Sequence, residues 1–475
     1  MRKSILIKVV ITLFFTGNIC FAQYKSKNWE TIKSTKPGLE QIGLMATKNS
    51  KEIESSPWSI GCETMDRGYT IFNNYKDYVG ELGAKSARLQ GGWAKCEKVK
   101  GVYDFEWLDE HVYGLKEQGI QPWISLSYGN PLYKSNPNLG SKIFSSEETL
   151  DAWCSWVEAT VEHYKDTVNE WEIWNEPNYG NNGGETYATL LIRTIETIKK
   201  VQPDAVIIGF ALSEMPLGFT KEVFDVLKKN DMADKVDYLS YHPYEFNPDD
   251  SYEDVEELKS LAESYNPNIK LFQGENAAPS DNHYVYHALN DYPWTEISQA
   301  KWYMRRMAGD RARDIRTSVF GIIDMKYPEV LLSMGLLRSN LKQEVLYKKP
   351  AFYAVQHMMT YFNSSVIPLG VMNFESSSTR KMTVAGFKKG NSSTALLWYN
   401  DEIPSDDLKW DLVDIKIDNM NFKDPVIVDM ISGKVFELKG DWKNDGKKVQ
   451  FEELPVWDGV MMIAERSQVA LKAEE

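Results

Sequence analysis

From Trp58 onward, short apolar runs alternate with longer stretches whose apolar residues recur every three or four positions. The first kind predicts strands and the second helices. WSIGCETM (58–65) predicts a strand, and YTIFNNYKDYVGELG (69–83) a helix stopped by Gly83. Seven more strands are predicted: KSARLQ (85–90), QPWISLSYG (121–129), NEWEIWNEP (169–177), AVIIGFALS (205–213), DYLSYHPY (237–244), IKLFQGENAAPS (269–280) and TSVFGIIDM (317–325). A helical pattern follows each, at 105–119, 145–167, 184–201, 220–230, 251–265, 295–312 and 350–362. The one at 145–167 opens on a Ser-x-x-Glu capping box.

Strands alternating with helices predict a parallel sheet, hence an α/β fold. Eight pairs across residues 57–362 fit a (β/α)8 TIM barrel. An open doubly wound sheet is the competing arrangement, but no glycine-rich phosphate loop follows the first strand. After residue 363 the period changes. SSVIPLGVMNF, RKMTVAGFKKG, STALLWYN, PVIVDMI, KVFELKG and KKVQFEEL are short and separated by turn residues such as ISGK and KGDW. They predict a small C-terminal antiparallel β-sandwich over 363–475. Residues 23–56 are polar and weakly patterned, and predict a leader lying on the surface of the barrel.

The N-terminus adds a compartment. MRKSILIKVVITLFFTGNICFAQ has Arg2, Lys3 and Lys8, an apolar run from Val9 to Phe15, and Ala22 before Gln23. That is the pattern of a cleavable signal peptide, residues 1–22, directing the chain to the periplasm or outside the cell. The apolar run is short for a membrane span, so no integral span is expected after cleavage. A lipid anchor through Cys20 fits less well, because Gly17-Asn18-Ile19 lacks a small residue just before the cysteine. Cys62, Cys96 and Cys154 remain, without a CxxC, and read as small buried hydrophobes. The six histidines are scattered with no HExxH, so no metal or cofactor is expected. The net charge of −14 without a basic block speaks against nucleic-acid binding. The 15 Trp and 25 Tyr exceed ordinary core needs and suit a cleft that stacks on flat ligand faces. Nothing in the pattern sets an oligomeric state.

In a barrel, polar residues at the C-terminal strand ends face the functional site. Strand two carries Arg88 and Gln90, strand four ends in Asn175-Glu176, strand six in Tyr241-His242-Pro243-Tyr244, strand seven in Glu275-Asn276 and strand eight near Asp324. Glu176 and Glu275 could therefore meet across one cleft. Paired carboxyls are what glycosidic cleavage needs: one gives a proton to the leaving oxygen, and the other attacks carbon or activates water. Glu172 points away from Ile173 and reads as a structural partner of a Lys or Arg. Asp324 reads as a structural acceptor. Trp93, Tyr128, His283, Tyr284 and Trp294 fall on strand-to-helix loops, where they could stack on sugar rings.

WEIWNEPN (171–178) resembles the fourth-strand motif of clan-A retaining glycoside hydrolases, nearest the β-xylosidase and α-L-iduronidase branch. KGVYDFEWLDEHVYGLKEQGIQPWISL (100–126) is similar to the second helix and third strand of that clan. The resemblance covers residues 57–362, and implies a TIM barrel with Glu176 as acid/base, Asn175 on the sugar 2-hydroxyl and Glu275 as nucleophile. It also implies substrate contacts for Arg88, His242 and Tyr244, the tyrosine touching the nucleophile. The chain reads Gly-Glu-Asn at strand seven, where many relatives read Thr-Glu-Phe or Thr-Glu-Tyr. It reads Ile323-Asp324-Met325 at strand eight, where a Trp often floors the sugar site. The expected function is hydrolysis of a plant or other complex polysaccharide, or its oligosaccharides, by double displacement. A non-catalytic carbohydrate-binding barrel and a transglycosidase are the alternatives.

Overall fold

The computed structural model describes residues 27–180, 182–282, 288–438 and 442–473. The signal-peptide reading of residues 1–22, and the placement of His283 and Tyr284, lie outside them. Eight parallel strands close into a barrel: Trp58–Gly61, Ser86–Gln90, Gln121–Leu126, Glu170–Ile173, Val206–Ser213, Tyr238–His242, Lys270–Gln273 and Arg316–Val319. The first pairs with the last in the register Trp58↔Thr317, Ser59↔Ser318 and Ile60↔Val319. The expected (β/α)8 barrel is thus present. Helices Lys76–Leu82, Glu106–Glu117, Glu147–Tyr164, Gly184–Val201, Leu217–Lys229, Tyr252–Glu263, Glu296–Ala312 and Pro350–Tyr361 return the chain between and after the strands. The helix Glu147–Tyr164 is capped by Ser146, whose side chain accepts from the Thr149 amide. No helix among the described residues is long and apolar enough to cross a membrane.

The strands are shorter than the apolar runs suggest, and the difference lies at their C-terminal ends. IKLFQGENAAPS pairs only over Lys270–Gln273, and TSVFGIIDM only over Arg316–Val319. Residues past those points leave the ladder and carry side chains toward the barrel mouth. The YTIFNNYKDYVGELG run likewise splits into a 3-10 turn, Phe72–Asn74, and the helix Lys76–Leu82, which ends at Gly83 with φ 88°.

The barrel interior is stacked in layers. At its N-terminal end Arg316 pairs with Glu170 at 2.7 Å and lies 4.4 Å from the Phe272 ring centre. Above it Trp123, Ile208 and Phe272 fill the middle, with the Trp123 indole donating to Ser59 Oγ at 2.9 Å. Arg88 caps this apolar plug, its guanidinium 5.5 Å from the Trp123 ring centre. Beyond the plug Arg88 meets the carboxyls of Glu63, Glu172 and Glu275.

The C-terminal strands form two antiparallel sheets, as expected of a sandwich. One has the order Gln41–Leu44, Lys434–Glu437, Pro425–Asp429, Met461–Glu465, Ser392–Tyr399, Met382–Lys389, Val366–Val371. The other runs Phe374–Ser376, Asp411–Asp418, Lys448–Val456, Trp442–Asn444. The segment read as a surface leader is therefore structural. Residues 41–44 supply an edge strand of the larger sheet, and the helix Lys27–Ser34 lays Trp29 flat on Tyr353 with ring centres 4.8 Å apart. Its short polar sequence hid a strand whose partner lies some 390 residues downstream. The two units are joined by buried polar contacts. Lys301 pairs with Asp458 at 2.6 Å, and the Trp398 indole donates to Asp249 at 3.0 Å.

Candidate active site

Glu176 owes its position to local backbone strain. Trp174 (φ 67°) and Glu176 (φ 50°) both adopt the left-handed conformation that L side chains rarely hold. The neighbouring fifth strand carries a bulge between Gly209 and Leu212, with Phe210 and Ala211 also at positive φ. Ala211 O accepts from the Glu176 amide at 2.8 Å. The Tyr187 hydroxyl donates to Ile173 O at 2.9 Å and accepts from the Phe210 amide at 2.7 Å. The two irregular strand ends thus hold one another. Strain of this kind persists where the surroundings over-determine it, characteristically at functional sites.

Arg88 organises the centre. Fully buried, it donates to Glu172 through Nε (3.0 Å) and Nη2, to Asn175 Oδ1 through Nη2 (2.6 Å), to Glu275 Oε2 through Nη1 (2.6 Å), and to Glu63 Oε1 through Nη1 (3.3 Å). Glu172 also accepts from Ser240 Oγ at 3.1 Å and is fully buried, the structural partner anticipated for it. The other oxygen of Glu275 accepts from Tyr244 at 2.7 Å. Burial pushes the Glu275 carboxyl up, but the charges of His242 and Arg88 and the bonds from Tyr244 and Arg88 outweigh it and hold the group below its ordinary value. Burial keeps Tyr244 a phenol, its pKa well above 10.

His242 stands between the two carboxyls, Nδ1 3.0 Å from Glu176 Oε1 and 3.9 Å from Glu275 Oε2. Burial pulls the imidazole down. The Glu275 charge and the hydrogen bond to Glu176 more than offset this, leaving it above its ordinary value. One oxygen each of Glu176 and Glu275, and a ring nitrogen of His242, lie within 4.8 Å of one another. Such a triad could in principle ligate a cation. The Glu275 oxygens are already engaged by a guanidinium and a phenol, so the set reads as one that holds protons.

Of the residues predicted from sequence, Glu176, Glu275, Asn175, Arg88, His242 and Tyr244 converge here. Tyr128 joins them, its hydroxyl accepting from Asn175 Nδ2 at 2.7 Å. Trp93 and Trp294 do not. Trp93 is buried against Tyr133, Trp153 and Trp156, with its indole bonded to Glu97. Trp294 is buried beside Tyr292 and bonds Leu289 O at 2.6 Å. Aromatic residues on loops serve packing as readily as ligands, and nothing in their spacing separates the two. Asp324 is buried in an ion pair with Lys349 at 2.7 Å, the acceptor role expected. Sequence reasoning passed over Glu63, which follows strand one and whose buried Oε2 has no hydrogen-bond partner among the described residues. Burial, reinforced by Glu275 and opposed by Arg88, raises it to about 8. The strand-end rule applied to strand one would have found it. A larger cleft of about 720 Å³ opens at the opposite barrel end, bordered by Lys85, Glu170, Lys270 and Arg316. That end of such barrels serves stability.

The family described as glycosyl hydrolases family 39 matches residues 91–279, a span that holds both Glu176 and Glu275. No curated protein matches the chain. In fold it is similar to a family 39 glycoside hydrolase from Bacteroides cellulosilyticus (18% identity, 87% of this chain and 81% of that one, TM-score 0.62). It is similar also to a monomeric β-xylosidase from Caulobacter crescentus (16%, 89% and 97%, 0.57). A third is a family 30 endoxylanase from Clostridium papyrosolvens (11%, 90% and 98%, 0.57). The family match supports a glycoside hydrolase, and the solved structures share the fold of this chain.

Proposed function

We propose that the protein is a secreted, retaining glycoside hydrolase acting on a plant or other complex polysaccharide, or on its oligosaccharides, with xylosidic linkages the first to test. The observation that carries this is the spacing of the two carboxyls, with oxygens within 4.8 Å of one another. Retaining enzymes keep their carboxyl groups about 5–5.5 Å apart, whereas inverting ones leave about 6.5–9.5 Å for a water.

Glu275 is the nucleophile. Arg88 and Tyr244 each hold one of its oxygens and favour the ionised form. It attacks the anomeric carbon and forms a glycosyl ester. Glu176 gives its proton to the departing oxygen, then takes one from the water that opens the ester. In the first step negative charge leaves Glu275 and appears on Glu176. His242 is within reach of both, its Nδ1 3.0 Å from Glu176 and 3.9 Å from Glu275, so one ring nitrogen borders the carboxyl that carries the charge at each step. Asn175, fixed by Arg88 and Tyr128, is set to read the sugar 2-hydroxyl.

The test is the anomer released first, followed by proton NMR on a 4-nitrophenyl glycoside that the enzyme turns over. Retention supports the assignment and inversion overturns it. In parallel, Glu275→Gly should lose activity and regain it with azide, giving a glycosyl azide of inverted configuration.

A further inference from the structure

One layer above Arg88, beside the proposed catalytic centre, lies a cavity of about 230 Å³ lined by Asp66, Arg67, Gly92, Trp93, Lys95 and Tyr128 among others. Gln90, two residues beyond Arg88 on the same face of strand two, accepts from Arg67 Nη2 at 2.7 Å. The guanidinium lies 5.3 Å from the Tyr69 ring centre and 5.4 Å from that of Tyr128. Asp66 meets it only through Nε, at 3.4 Å. Among the described residues Nη1 has no hydrogen-bond partner, and the side chain keeps 15% exposure. Lys95 is the second cation, tethered to Met65 O at 2.7 Å and placed 4.3 Å from the Trp107 ring centre. Arg67 is clamped by rings and an amide, with Nη1 unbonded among the described residues, in a cavity with a second cation and a single carboxylate.

We propose that this cavity receives an anionic group of the saccharide, a uronosyl carboxylate or a sulfate ester, carried on the 2-hydroxyl side of the sugar that Asn175 reads. The position follows from contacts. The Tyr128 ring borders the cavity, and its hydroxyl accepts from Asn175, which Arg88 holds beside Glu275. Both oxyanions match the fork of a guanidinium. The proposal rests on the glycoside hydrolase reading and narrows its substrate to acidic saccharides.

The probes are xylotetraose, xylotetraose bearing an O2-linked glucuronosyl branch, and xylotetraose bearing an O2 sulfate. They are titrated calorimetrically into Glu275→Gln, which binds without turnover. The acidic probes should bind about 10- to 100-fold more tightly than the neutral one, an advantage that shrinks with added salt. Whichever acidic probe gains more identifies the source of the charge. Adding Arg67→Gln should collapse the ratio of acidic to neutral affinity, and Arg67→Lys should keep part of it. Should Arg67→Gln fail to fold, Lys95→Gln is read the same way. Equal affinities for neutral and acidic probes, a ratio unmoved by these substitutions, or no binding of any probe overturns the proposal. The glycosidase reading fails separately, through an inverted first product or a chain inert on every glycoside, while the titration can still succeed.

Discussion

Arg88→Met separates what the central guanidinium does for stability from what it does for the reaction. The arginine is fully buried, and so is Glu172, which without it would keep only the bond from Ser240 at 3.1 Å. Breaking a buried ion pair by removing one partner costs about 3–5 kcal/mol, because it strands a charge. Against a total stability of roughly 5–15 kcal/mol, that is a severe loss. Glu172→Gln in the same chain removes the most deeply buried of the charges so stranded and should restore part of it. Activity should not follow. Glu275 would still be aimed by Tyr244 but would lack its cation, and removing one such preorganised donor costs about 10²–10³ in rate. The acid limb should also move. Glu275 sits below its ordinary value partly through Arg88, so it stabilises the fold above its unfolded pKa and loses that contribution as pH falls through the folded one. Without Arg88 the folded value rises, and the acid limb of kcat/KM shifts to higher pH. Urea unfolding of wild type, Arg88→Met and the double variant gives the first quantity, and kcat/KM against pH the others. A double variant that recovers activity together with stability would refute the reasoning, as would an Arg88→Met chain as stable as wild type.

Three further outcomes are expected. Glu176→Gln should lose about 10²–10⁴ in kcat on glycosides with alkoxide leaving groups and far less on 4-nitrophenyl glycosides, which depart without a proton; equal losses on both would remove Glu176 from the acid role. Glu63 rises on folding from 4.5 to about 8 through burial, so the folded chain keeps a proton that the unfolded chain releases, and wild-type stability should fall as pH rises across that window. Glu63→Gln should flatten this slope in melting temperatures taken from pH 5 to 9, and an unchanged slope would deny Glu63 that role. Trp29→Ala, which removes the stacked ring on Tyr353, should cost about 3–5 kcal/mol in urea unfolding; a negligible effect would return the helix Lys27–Ser34 to the status of a surface leader.

The barrel was legible because a buried parallel strand and an amphipathic helix carry different periods, and eight alternations admit few folds. The central carboxyls were legible for the same reason: a Glu just past a strand of Trp and Ile has one place to go. What stayed hidden was relational. Arg88 reads in sequence as a cleft residue of strand two, and only three dimensions show it serving Glu63, Glu172, Asn175 and Glu275 together. Trp294 shows the reverse failure, since loop position promised a ligand and packing claimed the ring. Arg67 lies in a turn whose neighbours come from strands two and three, so no local pattern marks it.

The strand Gln41–Leu44 precedes the barrel in the chain and completes a sheet whose other members all follow it. Barrel and sandwich are therefore not beads that recombination could exchange at a single junction. A cut near residue 363 would leave Lys434–Glu437 as a bare edge, open to pairing with another chain. During synthesis the first-made strand must wait for the whole barrel to emerge before its partner exists, so this sheet closes last and ties the two units into one heritable piece.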